Sequence, residues 1–279
     1  MMIQSYGEQS FDKRGGRGFQ MAAPNPFVEE WAKCYDGSHP LIDVGAAYGS
    51  NIEAAAAILN ENGQEEDAEH ARRPRFLAAD FAPEHLAHIE LTLKDEGVET
   101  VHCKLASELH EADELIATYG GVSAILCSEV FHFLRGDEID ASLKWFYEKL
   151  VPGGMLFFTS VSPFISNAYG DREATLKLLR DERRKGTRWP LSPSGEEFTH
   201  PVIQNNDYPQ EFGGVDVRPY LSTSLHTISD LETVRAVTDV GFEITSFCMK
   251  FRDGYPEAIK YDGRECVCAA VMKPKAEDK

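Results

Sequence analysis

The residues best placed to do chemistry lie at the ends of short apolar runs. Asp43-Val44-Gly45-Ala46-Ala47-Tyr48-Gly49 closes the run LIDV (41–44) and leads into an alanine-rich helical pattern. A turn of small residues at such a junction lets a ligand approach the backbone. A dinucleotide fingerprint GxGxxG would need glycine at 45, 47 and 50; these positions hold Gly, Ala and Ser, so a nicotinamide oxidoreductase is disfavoured. Asp80 closes a second run, RFLAAD (75–80). A carboxylate at that place accepts hydrogen bonds from a ribose diol, or caps the helix that follows. His132 lies just beyond a third run and is a candidate general base for a hydroxyl or protonated amine. Its alternative is a packing or surface histidine, and a carboxylate substrate would need no base.

The elements that position these residues alternate. Strand patterns at 41–44, 75–80, 98–105, 122–130 and 155–161 are separated by helical patterns at 50–62, 83–97, 107–121 and 136–154. Pro152-Gly153-Gly154 reads as the stop of the last of these helices. Asn25-Pro26 before FVEEWAKCY reads as a helix start, with Phe27, Trp31 and Tyr35 as its apolar stripe. A helix from 227, capped by Thr227 or Ser229 and stopped by Gly241, precedes two final strands, EITSFCMKF and ECVCAAVMK. This βαβ alternation predicts an α/β fold: a doubly wound, mostly parallel sheet with helices on both faces.

The ordered motifs carry a resemblance. DVGAAYG resembles the [D/E]xGxGxG motif of class I S-adenosylmethionine-dependent methyltransferases, with Ala47 in place of the middle glycine. Asp80-Phe81-Ala82-Pro83-Glu84 resembles their D-x-S-P-E motif, although Asp80 lies 80 − 43 = 37 residues after Asp43. That is longer than the usual spacing of about 20, and an acidic insertion over 60–73 accounts for it. AILCSEVFHFL (124–134), KLVPGGMLFFTS (149–160) and TISDLETVRAVTDVGFEI (227–244) resemble three further elements of the family. The resemblance implies seven strands in the order 3-2-1-4-5-7-6, the seventh antiparallel, and S-adenosylmethionine as cofactor with S-adenosylhomocysteine as product. It places Asp43 near the ligand's amino group and lines its methionine part with Gly45, Ala46, Ala47, Tyr48 and Gly49. Asp80 would hold the ribose, Phe81, Leu105 and Ala106 would lie near adenine, and Cys127 and Ser128 would face the reacting centre. Many relatives carry Asp at the end of strand three; here that stretch reads Cys103-Lys104-Leu105-Ala106.

The expected organisation is a flexible arm (1–24), a cofactor domain (25–161 and 227–273), a cap inserted between strand five and the last helix (162–226), and a polar tail (274–279). The cap is irregular except for one helical pattern near 171–185. With Phe133 beyond strand four, its Phe164, Tyr169, Trp189, His200, Tyr208 and Tyr220 are candidate acceptor contacts. Arm residues Tyr6, Phe11 and Phe19 fit either a frayed tail or a segment that orders over the ligand.

Charge bears on the partner. The net charge is −18, which disfavours nucleic acid and anionic membranes, and no apolar stretch approaches membrane-spanning length. Within Arg172–Arg188, however, seven bases face three acids, a local +4 that fits an anionic small substrate or a solvated helix face. Six scattered cysteines without a CxxC pair argue against zinc and for core thiols in a reducing cytoplasm. The expected partner is a small-molecule methyl acceptor. A protein or peptide acceptor, and a ligand-binding protein without catalysis, are the alternatives.

Overall fold

In the computed structural model the described residues are 2–6, 9–12, 20–21, 23–61, 75–103, 109–166, 171–192, 211–212, 215–216, 226–253, 255 and 260–275. Seven strands make the central sheet: β1 (Leu41–Val44), β2 (Phe76–Asp80), β3 (Val98–His102), β4 (Val122–Ser128), β5 (Leu150–Val161), β6 (Glu243–Lys250) and β7 (Cys266–Met272). Their order is β3-β2-β1-β4-β5-β7-β6. The first five are mutually parallel, and β7 runs antiparallel to both β5 and β6. This is the order implied by the motif resemblance.

Short apolar runs form buried strands because both sheet faces are covered. Every residue of β1 and β2 is buried. The helices are α1 (Val28–Ala32), α2 (Ser50–Glu61), α3 (Pro83–Thr92), α4 (Asp113–Thr118), α5 (Gly136–Lys149), α6 (Arg172–Lys185) and α7 (Asp230–Val240). One core layer joins Trp31, Ile52, Leu59, Phe76 and Ile89. The opposite layer joins Ile125, Phe131, Phe146, Phe158 and Val237. Gly241 stops α7 with φ 106°, as its sequence position predicts. Ser229 has the extended backbone of an N-cap, although its hydroxyl donates to Asp230.

Two expectations about local structure are corrected. Pro152-Gly153-Gly154 does not end the fourth long helix; α5 ends at Lys149, and the triplet lies within β5. The N–H of Gly153 donates to Lys273 O and Gly154 O accepts from Lys273 N, so pairing with the far end of β7 replaces the helical stop. The other is the start of α1, whose first helical residue is Val28 with Phe27 at the N-cap, beyond Pro26. In the arm, Met2–Tyr6, Gln9–Asp12 and Gln20–Met21 form a small antiparallel sheet. Glu211–Phe212 and Val215–Asp216 form a second hairpin within the cap. Among the described residues, no helix is long and apolar enough to cross a membrane.

Candidate cofactor and acceptor site

The turn after β1 is shaped by left-handed backbone at alternate positions: φ is 76° at Gly45, 47° at Ala47 and 83° at Gly49. Three such residues turn the chain from strand into helix while leaving the backbone bare on one side. The N–H groups of Gly45 and Ala46 donate to Ala79 O at 2.8 and 3.2 Å, which ties the turn to β2. A Cβ at Gly49 would lie 2.9 Å from Leu93 Cδ1, so α3 packs closely here. Ala47 pays a steric cost that glycine would avoid.

Asp43 is fully buried at the end of β1. Its Oδ2 accepts from Asn51 Nδ2 at 3.3 Å, and its Oδ1 is buried without a hydrogen-bond partner. Burial pushes the carboxyl up to about 7, with Asn51 pulling down and Asp80 adding to the rise. An enclosed carboxylate oxygen left open is a site for a cationic donor.

Behind Asp43 runs a polar chain that sequence reasoning missed. Asn51 Oδ1 accepts from the backbone N–H of Asn25 at 2.9 Å. The Asn25 carboxamide donates to Ser128 Oγ at 2.9 Å and Thr159 Oγ1 at 3.0 Å, and its Oδ1 accepts from Phe27 N. Asn25 thus closes the turn that leads into α1, whose N-cap is Phe27, and also bridges the tips of β4 and β5. The second role had no local signal, because its partners lie 103 and 134 residues away.

Asp80, at the end of β2, is 3% exposed. Its Oδ2 accepts from Ala47 N at 2.8 Å, and its Oδ1 from Ala82 N at 2.9 Å and His85 Nδ1 at 3.1 Å. It therefore braces the turn after β1 and the entry to α3 together. A carboxylate offers about four acceptor sites, so Oδ2 retains room for a ligand hydroxyl. Tyr48 turns away from the turn onto α3, with its ring edge-on to His85 and His88. Phe81 is half-exposed beside Asp80. Leu105 and Ala106 lie outside the described residues.

At the end of β4, Cys127 and Ser128 part company. The Cys127 side chain is enclosed in the core, where burial raises its thiol well above the ordinary value. It is a packing residue and does not face an open centre; Ser128 stands at the tip and accepts from Asn25. Next comes Glu129, also missed, with φ 59°. Its carboxylate meets Arg252, Tyr255 and His132. His132 is 6% exposed, and burial lowers it to about 4, with Glu129 opposing and Arg252 assisting. It is thus a buried, neutral imidazole. The Phe133 ring beside it is exposed.

The cap candidates divide. Phe164 lies under the Arg264 guanidinium at 3.9 Å, just past β5. Trp189 is a correction: it is buried in the main core, packed on Gly136 and edge-on to His226, and is no acceptor wall. Tyr169, His200, Tyr208 and Tyr220 lie outside the described residues. The basic run follows the second of its two readings over much of its length, a helix face of exposed ion pairs. Arg183 binds Glu232 in a fork and also Asp230, while Arg188 binds Asp140 and Asp239. Lys177, Arg184 and Lys185 pair within α6. Five of the seven bases are thus engaged, Arg183 and Arg188 with acids of α5 and α7 and the other three along α6, while Arg172 lies over the Tyr261 ring.

Neither a protein-family model nor a curated protein matches this sequence. Among solved structures the chain is similar to a candidate S-adenosylmethionine dependent methyltransferase from Listeria monocytogenes, at 16% identity and a TM-score of 0.50 over 89% of this chain and 99% of that one. It is also similar to an S-adenosylmethionine dependent methyltransferase from Mesorhizobium loti, at 15% identity and a TM-score of 0.48 over 88% and 97%. At these identities the likeness is one of fold. The architecture, with its strand order, is the class I S-adenosylmethionine-dependent methyltransferase fold.

Proposed function

We propose that this protein transfers a methyl group from S-adenosylmethionine to an oxygen or nitrogen atom of a small molecule. The observation that carries the reading is the buried, unpartnered Oδ1 of Asp43, set between a backbone-lined turn and Asp80 at the tips of adjacent strands. Asp43 would hold the ligand's ammonium, Asp80 a ribose hydroxyl, and the Gly45–Gly49 turn the methionine part. When bound, S-adenosylmethionine supplies an electrophilic methyl: the acceptor's lone pair bonds to that carbon, and the carbon–sulfur pair returns to sulfur. His132, neutral and beside the β4 tip, would take the proton an O–H or N–H acceptor gives up. The cap would exclude water from the reacting centre. Scattered cysteines without a CxxC pair support a reducing, cytoplasmic location.

Titration calorimetry with S-adenosylhomocysteine and with NAD tests the cofactor reading. Binding of S-adenosylhomocysteine alone supports it, and binding of NAD alone overturns it. Methyl transfer from radiolabelled S-adenosylmethionine across hydroxyl, amine and peptide panels then tests the acceptor class. Transfer confined to peptides would replace the small-molecule reading.

A further inference from the structure

The topology brings the connection between β6 and β7, residues 251–265, to the edge of the sheet that holds the strand tips. Lys250 at the end of β6 lies opposite Cys266, and Cys266 lies opposite Val161 at the end of β5. Two buried side chains of this connection converge on one carboxylate. Arg252 Nη1 donates to Glu129 Oε1 at 2.9 Å, and the Tyr255 hydroxyl donates to Glu129 Oε2 at 2.8 Å. Cys266 Sγ adds a weak contact at 3.7 Å. Glu129 itself sits in left-handed backbone, a conformation a non-glycine residue keeps only where its surroundings enforce it.

The same Oε2 lies 3.6 Å from His132 Nδ1. That separation is beyond a formed hydrogen bond, and Nδ1 is enclosed with no other partner among the described residues. Glu129 is thus the carboxylate facing that nitrogen. We propose that Glu129 is a positioning residue that fixes His132 as the Nδ1–H tautomer, leaving Nε2 with a free lone pair, and that Arg252 and Tyr255 hold Glu129 in place for it.

The charges support this division of roles. Burial alone would raise the Glu129 carboxyl, but the Arg252 charge and the hydroxyls of Tyr255 and Thr159 outweigh it and hold it below the usual carboxylate range. Glu129 is therefore an anion and accepts only. His132 is neutral near pH 7 and carries one N–H, which a neighbouring carboxylate draws to the facing nitrogen. His226 also packs nearby, its N–H on His132 O, but its own Nδ1 is committed to Leu134 O. On the methyl-transfer reading, and with His132 as its base, that lone pair fits an acceptor that sheds a proton on methylation, a hydroxyl or an amine.

Long-range proton–nitrogen NMR on the full chain with 15N-labelled histidine tests the assignment, with His132→Gln identifying the signal. The expected result is a protonated Nδ1 and an unprotonated Nε2 in the wild type, with a shift toward the Nε2–H form in Glu129→Gln. A wild-type Nε2–H tautomer overturns the inference even if Glu129→Gln does not fold. An unchanged tautomer in a folded Glu129→Gln overturns the role of Glu129. Failure of S-adenosylhomocysteine to bind would remove the methyl-transfer reading and leave the tautomer result standing.

Discussion

Asn51 donates to one oxygen of Asp43 at 3.3 Å and leaves the other, equally buried, without a partner. Because burial pushes this carboxyl up to about 7, the free protein below that pH holds it protonated. A ligand ammonium requires the carboxylate, so binding releases a proton. Affinity for S-adenosylhomocysteine should rise about tenfold per pH unit up to pH 7 and then level off. Calorimetry at pH 6 in buffers of different ionisation enthalpy should detect that proton. Asp43→Asn should bind at least tenfold more weakly, without the pH slope. For the free protein the sign is fixed: the folded carboxyl titrates above its unfolded value of 3.8. Its contribution to stability is therefore present below that value and is lost as pH rises through about 7. A flat wild-type binding profile would contradict the assignment.

Ala47 occupies a left-handed position that glycine fills at no steric cost. Relief of that strain outweighs the extra freedom glycine gives the unfolded chain, so Ala47→Gly should stabilise the protein by about 0.5–1 kcal/mol. Gly49→Ala should do the reverse, costing about 1–3 kcal/mol, since it adds left-handed strain and a contact with Leu93. Denaturant melts of the two variants should move in opposite directions.

Asn25 satisfies four groups at once, in a segment that precedes the first strand of the sheet. Asn25→Ala leaves Ser128, Thr159 and Phe27 N–H to find other partners, and should cost about 2–4 kcal/mol. Asn25→Asp should lower affinity for S-adenosylhomocysteine, because it places a second carboxylate behind Asp43. Unchanged affinity in Asn25→Asp would confine the residue to a packing role.

Arg183 and Arg184 are adjacent, and the structure separates them. Arg183 pairs with Glu232, whose side chain is only 5% exposed, whereas the Arg184 side chain is 75% exposed. Arg183→Ala should lower stability by about 1–3 kcal/mol by stranding that carboxylate. Arg184→Ala should be silent. Neither should change ligand affinity; a loss of acceptor affinity in Arg184→Ala would restore an anion-binding role for this helix.

Much of the cofactor half was legible because its signals are local. Asp43, the small-residue turn and Asp80 lie at the ends of apolar runs, and a run followed by a helical pattern locates a strand tip without knowledge of the fold. What was not legible depends on contacts across the chain. Arg252 and Tyr255 reach Glu129 over 123 and 126 residues. Pro152-Gly153-Gly154 spells a helix stop, and only its pairing with Lys273 makes it part of a strand. Trp189 was read as facing a substrate, and the basic run was left open between a substrate and a solvated helix face, because a composition does not show which side chains a neighbouring element will cover. Cys127 was assigned outward for the same reason: a strand's last residues share one periodicity whether they meet a ligand or the core.

The position of β7 has a consequence for how the molecule comes together. Among the described residues β6 pairs only with β7, and β7 pairs with β5. During synthesis, then, β6 emerges before there is any strand for it to join, and the sheet can grow past β5 only once the last strand has left the ribosome. The same late event seats Arg252 and Tyr255 against Glu129, because their connection is anchored at Cys266. A nascent chain shorter than this has the turn and carboxylates for a ligand but lacks the two side chains that hold Glu129. The support of Glu129 is thus assembled after the turn that would hold the methyl donor.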